Sequence, residues 1–435
     1  MIMGVVADDI TGSNDIGIMF TNGGCLAHIY TYEKPGDFRN LSGRHASPDV
    51  VILDTNSRLD TRDEAYRKVY AATKELQEAG CQRFHKKTCS VFRGNIGAEF
   101  DAMLDALGEE FAVVVLGFPK NGRKTIDGIH YVHGRLLEES EFRNDPIHPM
   151  TLSSLVDILG SQTQRKVGLI THGTIEQGPE AVKTKLDELR GQFNYVIMDV
   201  VDQESLRTIA FGAAEEKVIC GSSAIAEELP AAWGFEKGED LRVNLPEANK
   251  NGVLVLAGSL MPQTSAQIGH LKARGIEAVK LDTGSLFDPD LQKLEIQNRA
   301  DEISKVLLAG RDILYHTPNR QEEVEHTCSI GAKLGYSPTQ TGRLVSETIA
   351  LVCEAVRERT GFDRLVVAGG ETSAAVCARL GIGGLAVWEE IQPGLPSCVS
   401  LSEPPMFLVL KSGSFGQPDF LEKAIQHLKE QVEPA

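Results

Sequence analysis

The stretch VVADDITGSNDIG, residues 5–17, runs an apolar segment into two adjacent carboxylates, Asp8 and Asp9, and adds a third, Asp15, shortly after. A single aspartate in such a place is adequately explained as a helix cap or turn residue. Three so close together repel one another unless cations, hydrogen-bond donors or a shared reaction offset the cost, so Asp8, Asp9 and Asp15 are candidate acid–base groups. The segment HKKTCSVFRGNIGAEF, residues 85–100, supplies the opposite charge, with Lys86, Lys87 and Arg93 ahead of Gly94 and Asn95, where a helix is expected to begin. Ammonium, guanidinium and helix N-terminal amides together suit a carboxylate or a phosphate; a solvated basic turn is the plainer alternative. In DTNSR, residues 54–58, Asp54 and Asn56 also follow an apolar run, and Arg58 offers a planar fork for an anion.

Toward the C-terminus three glycine-bearing turns follow apolar runs: LAGS (256–259), VAGGETS (367–373) and LKSGSFG (410–416). Glycine lets backbone amides approach phosphate oxygens, and Ser or Thr hydroxyls add donors, so the three together suggest a composite phosphate-binding rim. None of them matches the Walker or the dinucleotide-binding pattern, and no G-x-S-x-G elbow is present to anchor a serine-hydrolase reading. His130 and His133 in IHYVH are spaced for a metal on a helix, but no third ligand is in view and hydrogen-bonded histidines are the simpler reading.

These residues need a scaffold that presents strand ends. Apolar runs (MIMGVVA, CLAHIYTY, DVVILDT, FAVVVLGF, KVGLI, YVIMDVV, KVICG) alternate with helical spacing, which predicts an α/β fold with a largely parallel sheet, where ligands gather at the carboxyl ends of the strands. A helix is expected from about Thr61 to Ala79, opened by the capping box TRDE. The polar, Gly- and Pro-bearing stretch 234–251 interrupts the alternation, and VKLD, DILYHT, RLVVAGGE, LAVWEEI and FLVLKSGSFG resume it, with a helix from Thr341 to Arg359. The expectation is therefore two α/β domains with mainly parallel sheets, residues 1–240 and 250–435, and an interdomain cleft. The tail QVEPA is expected to fray.

With 435 residues the chain is long enough for two or three cores. Its formal charge of −17 argues against a broad nucleic-acid or anionic-membrane surface, so an anionic substrate needs a local basic pocket. The eight cysteines form no zinc or C-x-x-C pattern, and no signal peptide or 18-residue apolar span is seen, so a cytoplasmic protein with reduced thiols is expected. A homo-oligomer is left open.

In order along nearly the whole chain, ADDITGSNDIG, DTNSR, KTCSVFRGNIGAE, GFPKNGRKTIDGIHYVHG, AGSLMPQTSAQI, TGRL, VVAGGETSAAV, IQPGLP and LKSGSFG resemble the four-carbon acid sugar kinases, which phosphorylate tetronates such as threonate, erythronate and 3-oxo-tetronate. The resemblance implies that the first domain binds the acid sugar and the second binds ATP, with transfer to the terminal 4-hydroxyl. It places substrate contacts at Asp8, Asp9, Arg58, Lys87, Ser90, Arg93 and Gly94, and Asn95 at the expected helix start joins them as a candidate. It places nucleotide contacts at Ser259, Gly369, Gly370, Glu371, Thr372 and Gly413; beside them Lys411 and Ser412 of the last glycine turn are expected to help hold the phosphates, with magnesium bridging these and no metal ligands assigned. Where many relatives read K-x-D-S-T-L-R-G-N this chain reads KTCSVFRGN, so Cys89 and Val91 replace an acid and a threonine. A dehydrogenase would share the α/β halves but lacks its fingerprint, and a catalytically silent sugar-acid sensor would need no phosphate turns.

Overall fold

The computed structural model describes residues 3–38, 47–145, 147–235, 245–246 and 249–430, so most of the polar stretch at 234–251 and the tail QVEPA lie outside the described residues. The chain divides into two compact units, residues 1–241 and 242–435.

In the first unit the apolar runs become parallel strands: β1 (Met3–Ala7), β2 (Ala27–Thr31), β3 (Val50–Asp54), β4 (Arg83–Lys87) and β5 (Ala112–Val115). A small antiparallel sheet of β6 (Arg123–Ile126), β7 (Ile129–Val132) and β8 (Arg135–Leu136) follows. The parallel sheet then resumes with β9 (Val167–Ile170), β10 (Tyr195–Met198) and β11 (Val218–Gly221) in the order β2-β3-β1-β4-β11-β5-β10-β9. Strands buried on both faces read as continuous apolar runs, which is why most were visible in the sequence. β4 was not, because RFHKK carries three cationic or titratable side chains that are nevertheless buried. The solvated basic turn considered for this segment is thus replaced by a central strand. His130 lies on β7 and His133 in the turn after it, so the pair is not on a helix.

Register makes the strand ends level: Ala7 pairs with Asp54 and with Lys87, and Gly221 pairs with Lys87 and with Val115. The residues that follow each end therefore share one rim. The helix Arg62–Glu78 is opened by the expected capping box, with Thr61 Oγ1 accepting from the Glu64 amide while the Glu64 carboxylate accepts from the Thr61 amide.

The second unit carries β12 (Leu254–Ala257), β13 (Glu277–Lys280), β14 (Ile313–His316), β15 (Arg364–Ala368), β16 (Gly384–Gln392), β17 (Leu395–Ser400) and β18 (Phe407–Lys411), ordered β13-β14-β12-β15-β18-β17-β16. The first five in that order are parallel, and β17 runs antiparallel to both neighbours. Here too the ends are level, Ala257 with Ala368 and Ala368 with Lys411. The long helix begins at Pro338, three residues before the expected Thr341, because Ser337 caps it, Gln340 closes the box and proline suits the first turn.

Candidate functional site

The rim of the first unit is built around one guanidinium. Arg58 donates from Nη2 and Nε to the two oxygens of Asp8 at 2.8 and 2.9 Å and from Nη1 to Asp9 Oδ2. The bidentate grip open to a substrate anion in the sequence is therefore made to Asp8 within the chain. Burial alone would raise the Asp8 pKa, but Arg58, with help from Lys86 and Lys87, overcomes it and holds the group at about 2. Asp9 caps the helix Ile10–Asn22, accepting from the Gly12 amide at 2.5 Å. Both aspartates are thus committed to partners.

Asp15 differs. It sits on that same helix, buried, and its Oδ2 accepts from Ser223 Oγ at 2.7 Å and lies 3.6 Å from Lys87 Nζ. Its Oδ1 is buried without a hydrogen-bond partner. Burial outweighs the opposing pull of Lys87 and raises its pKa to about 6. Asp54, at the end of β3, is pushed up to about 7, first by burial and then by the negative charges of Asp9 and Asp8.

Beneath this rim a second buried network fixes the DTNSR loop. Glu99, on the helix Ile96–Leu107, pairs with Lys86 at 2.9 Å and accepts from Ser57 Oγ at 2.5 Å. Ser57 meets Thr55 at 2.8 Å, and Thr55 Oγ1 donates to the Ala7 carbonyl at 2.8 Å, one residue before Asp8. Asn95 donates to the carbonyls of Asp60 and Ser57 at 2.9 and 3.4 Å. Its side chain is spent there and makes no cap bond, so the helix N-terminus has no side-chain cap.

Arg93 lies beside that terminus, bonded to Asp145 at 2.7 Å and to Cys89 Sγ at 3.4 Å, with its guanidinium 5.1 Å from the centre of the Phe142 ring. Burial opposes ionisation of Cys89, yet Arg93 and Arg58 lower its pKa on balance. Gly94 holds φ +108, and a Cβ there would come within 3.2 Å of Arg58 Cγ, so glycine is required where the chain passes Arg58. Ser90 is buried in the same segment.

In the second unit the three glycine turns converge. A Cβ on Gly258 would lie 2.1 Å from Thr372 Oγ1, and one on Gly413 would lie 2.1 Å from Ser259 Oγ. Gly369, at φ +129, would bring its Cβ 3.2 Å from the Ser259 amide. The result is a small-residue cradle of Ser259, Gly369 and Gly413 at the ends of β12, β15 and β18, with Gly370, Glu371 and Thr372 in the first turn of the helix Gly370–Arg379. Lys411 is buried beneath it and donates to Thr264 Oγ1 and the Gly413 carbonyl at 3.0 and 3.4 Å, while Ser412 is half-buried in the turn. Desolvation lowers the Lys411 pKa to about 7. Gln267 Nε2 donates at 3.1 Å to the carbonyls of Phe415, Gly416 and Gln417, fastening the last turn to the helix Pro262–Ala273.

Sequence reasoning passed over Ser57, Glu99, Ser223, Thr264 and Gln267, and marked Gly258 only as the glycine of its turn. Ser223 follows the end of β11 and Gly258 lies inside LAGS, so the strand-end rule reached both places; Glu99 and Gln267 are interior helix residues whose partners only the packing supplies.

The family model described as a sugar-binding N-terminal domain matches residues 3–229, and that described as a nucleotide-binding C-terminal domain matches residues 254–421. A 3-oxo-tetronate kinase of Pseudomonas fluorescens is 33% identical over 436 residues, covering 98% of this chain and 97% of the relative. The chain belongs to the four-carbon acid sugar kinase family. A further sugar acid kinase, the 3-oxo-tetronate kinase of Cupriavidus necator, is 32% identical with 98% and 97% of the two chains covered. The fold also matches a crystal structure from Haemophilus influenzae, with TM-score 0.71, 28% identity and 98% and 100% of the chains covered. This chain is accordingly a kinase, and the dehydrogenase and silent-sensor readings give way. Among its described residues no helix is long and apolar enough to cross a membrane.

Proposed function

We propose that this kinase transfers the γ-phosphoryl group of ATP to the terminal 4-hydroxyl of a four-carbon sugar acid, with a 3-oxo-tetronate as the first substrate to test. The observation that carries the nucleotide half is the glycine cradle: Gly258, Gly369 and Gly413 let three turns at level strand ends approach one another closely, which gathers the Ser259 and Thr372 hydroxyls with backbone amides, groups that suit a polyphosphate. Among the described residues no group of three or more His, Cys, Asp or Glu side chains is placed to hold a metal ion. Magnesium bound to the nucleotide phosphates would neutralise charge developing during transfer. The names of the relatives support the sugar-acid half. The test is ADP release across threonate, erythronate and 3-oxo-tetronate stereoisomers with ATP and magnesium. Saturable ADP release with one of them is expected; a chain that releases no ADP with any sugar acid would defeat the reading.

The substrate carboxylate is assigned to Arg93 and the uncapped N-terminus of the helix Ile96–Leu107, a cation and a set of amides that together favour an anion. Arg93→Met should lose about 1.5 to 3 kcal/mol of carboxylate binding, the worth of a charge-assisted hydrogen bond. The preference for a tetronate over its neutral tetritol should then largely vanish, and lysine at the position should restore only part of it. Full preference in the methionine variant would move the anion elsewhere.

A further inference from the structure

Among the described residues of the first rim, Asp15 keeps a buried carboxylate oxygen, Oδ1, without a hydrogen-bond partner. Asp8 and Asp9 are held by Arg58, and Asp9 also caps its helix. Leaving a buried acceptor unmet costs about 1 to 3 kcal/mol, a cost that the fold itself has no need of, since the helix Ile10–Asn22 is already capped by Asp9. The other oxygen is fixed: Ser223 Oγ donates to Oδ2 at 2.7 Å, and Lys87 Nζ lies 3.6 Å from the same atom. Ser223 and Lys87 hold their own positions through the sheet. Gly221 pairs with Lys87 across β11 and β4, the Thr88 amide donates to the Gly221 carbonyl at 2.8 Å, and Lys87 Nζ donates to the Thr88 carbonyl at 2.9 Å.

Resting on the kinase reading above, we propose that Asp15 Oδ1 accepts the proton of the substrate hydroxyl, and that Ser223 is the positioning residue that holds Oδ2 and so leaves Oδ1 for the substrate. As the hydroxyl oxygen bonds to the γ-phosphorus, its O–H bond breaks and the proton passes to Asp15. The bond from the γ-phosphorus to the ADP oxygen breaks, and ADP leaves with that electron pair. The charged groups that act on Asp15 are Lys87 from β4, Asp9 from the start of its own helix and Arg123 from β6. Its pKa, raised to about 6 by burial, suits a base that is ionised at neutral pH yet close enough to accept a proton.

The experiment is the pH dependence of kcat for the full chain with ATP, magnesium and the tetronate that gives ADP release. Activity should fall below about pH 6 as Asp15 takes up a proton. Asp15→Asn should lower kcat about a hundredfold while retaining affinity for a non-hydrolysable ATP analogue and for the tetronate. Ser223→Ala should lower kcat by roughly three- to tenfold with little change in KM. Because the Ser223 hydrogen bond favours the ionised form, its loss should move the acid limb upward by roughly half to one pH unit, which a merely structural serine would not do. An Asp15→Asn variant within threefold of the parent would overturn the assignment. An unmoved acid limb in Ser223→Ala would remove Ser223 from the mechanism, and a collapse confined to Asp54→Asn would transfer the role to Asp54. Failure of the substrate reading is distinct, since it shows as absence of ADP release by the unaltered chain.

Discussion

Arg58→Met should destabilise the first domain by about 3 to 5 kcal/mol at neutral pH, because it strands a fully buried Asp8 whose two oxygens both rest on that guanidinium. The loss is read as a fall in the urea midpoint followed by a probe in that domain. The pH dependence separates an electrostatic cause from lost packing. In the parent protein the Asp8 pKa is depressed from 3.8 to about 2, so its contribution, about 2 kcal/mol, is present above pH 4 and is lost as pH falls through 2. In the variant, burial raises the pKa and only Lys86 and Lys87 oppose it, so protonation in acid relieves the folded state instead of penalising it. The stability gap between the two proteins should narrow as pH falls from above 4 to about 2. A gap that stays constant over that window would show that Arg58 acts through its aliphatic packing. Activity should fall with the pair, since Asp8, Asp9 and the DTNSR loop lose their common anchor.

Gly413→Val should reduce nucleotide affinity at least a hundredfold while sugar-acid affinity, measured without nucleotide, is preserved. Gly413 is not at positive φ, so the penalty is one of space. Its Cβ would fall 2.1 Å from Ser259 Oγ, 3.0 Å from Met261 Cγ and 3.1 Å from Ser259 Cβ. Rotating the serine hydroxyl away breaks its bond to the Met261 amide at 3.2 Å, and the two valine methyls then fill the cradle. Calorimetric titration with ADP and with the tetronate decides the matter. Equal loss of both ligands would mean that the substitution unfolds the protein, and unchanged ADP binding would show that the phosphates do not lie on this turn.

The two α/β units, the candidate residues at the strand ends and most of the strands were legible because each rests on local information. A parallel strand buried on both faces must be an apolar run, and a helix start must satisfy its first amides, as Thr61 with Glu64 and Ser337 with Gln340 do. The sequence could also show that Asp8, Asp9 and Asp15 carry more negative charge than a turn requires. It could not rank them, since the ranking lies in partners far along the chain: Arg58 is 50 residues from Asp8, and Ser223 is 208 from Asp15.

The basic segment at 85–93 marks the same boundary. Composition alone suggested either a surface turn or an anion site, and packing made Lys86 and Lys87 the end of a buried strand, neutralised by Glu99 and Asp15. A buried charge is tolerable only when a counter-charge is brought to it, and no pattern of neighbours along the chain announces that. The chain by itself determined which residue types stand at the ends of its strands. The tertiary structure decided which of them are spent on one another, because register sets the strand ends level and only then do their side chains compete for the same partners.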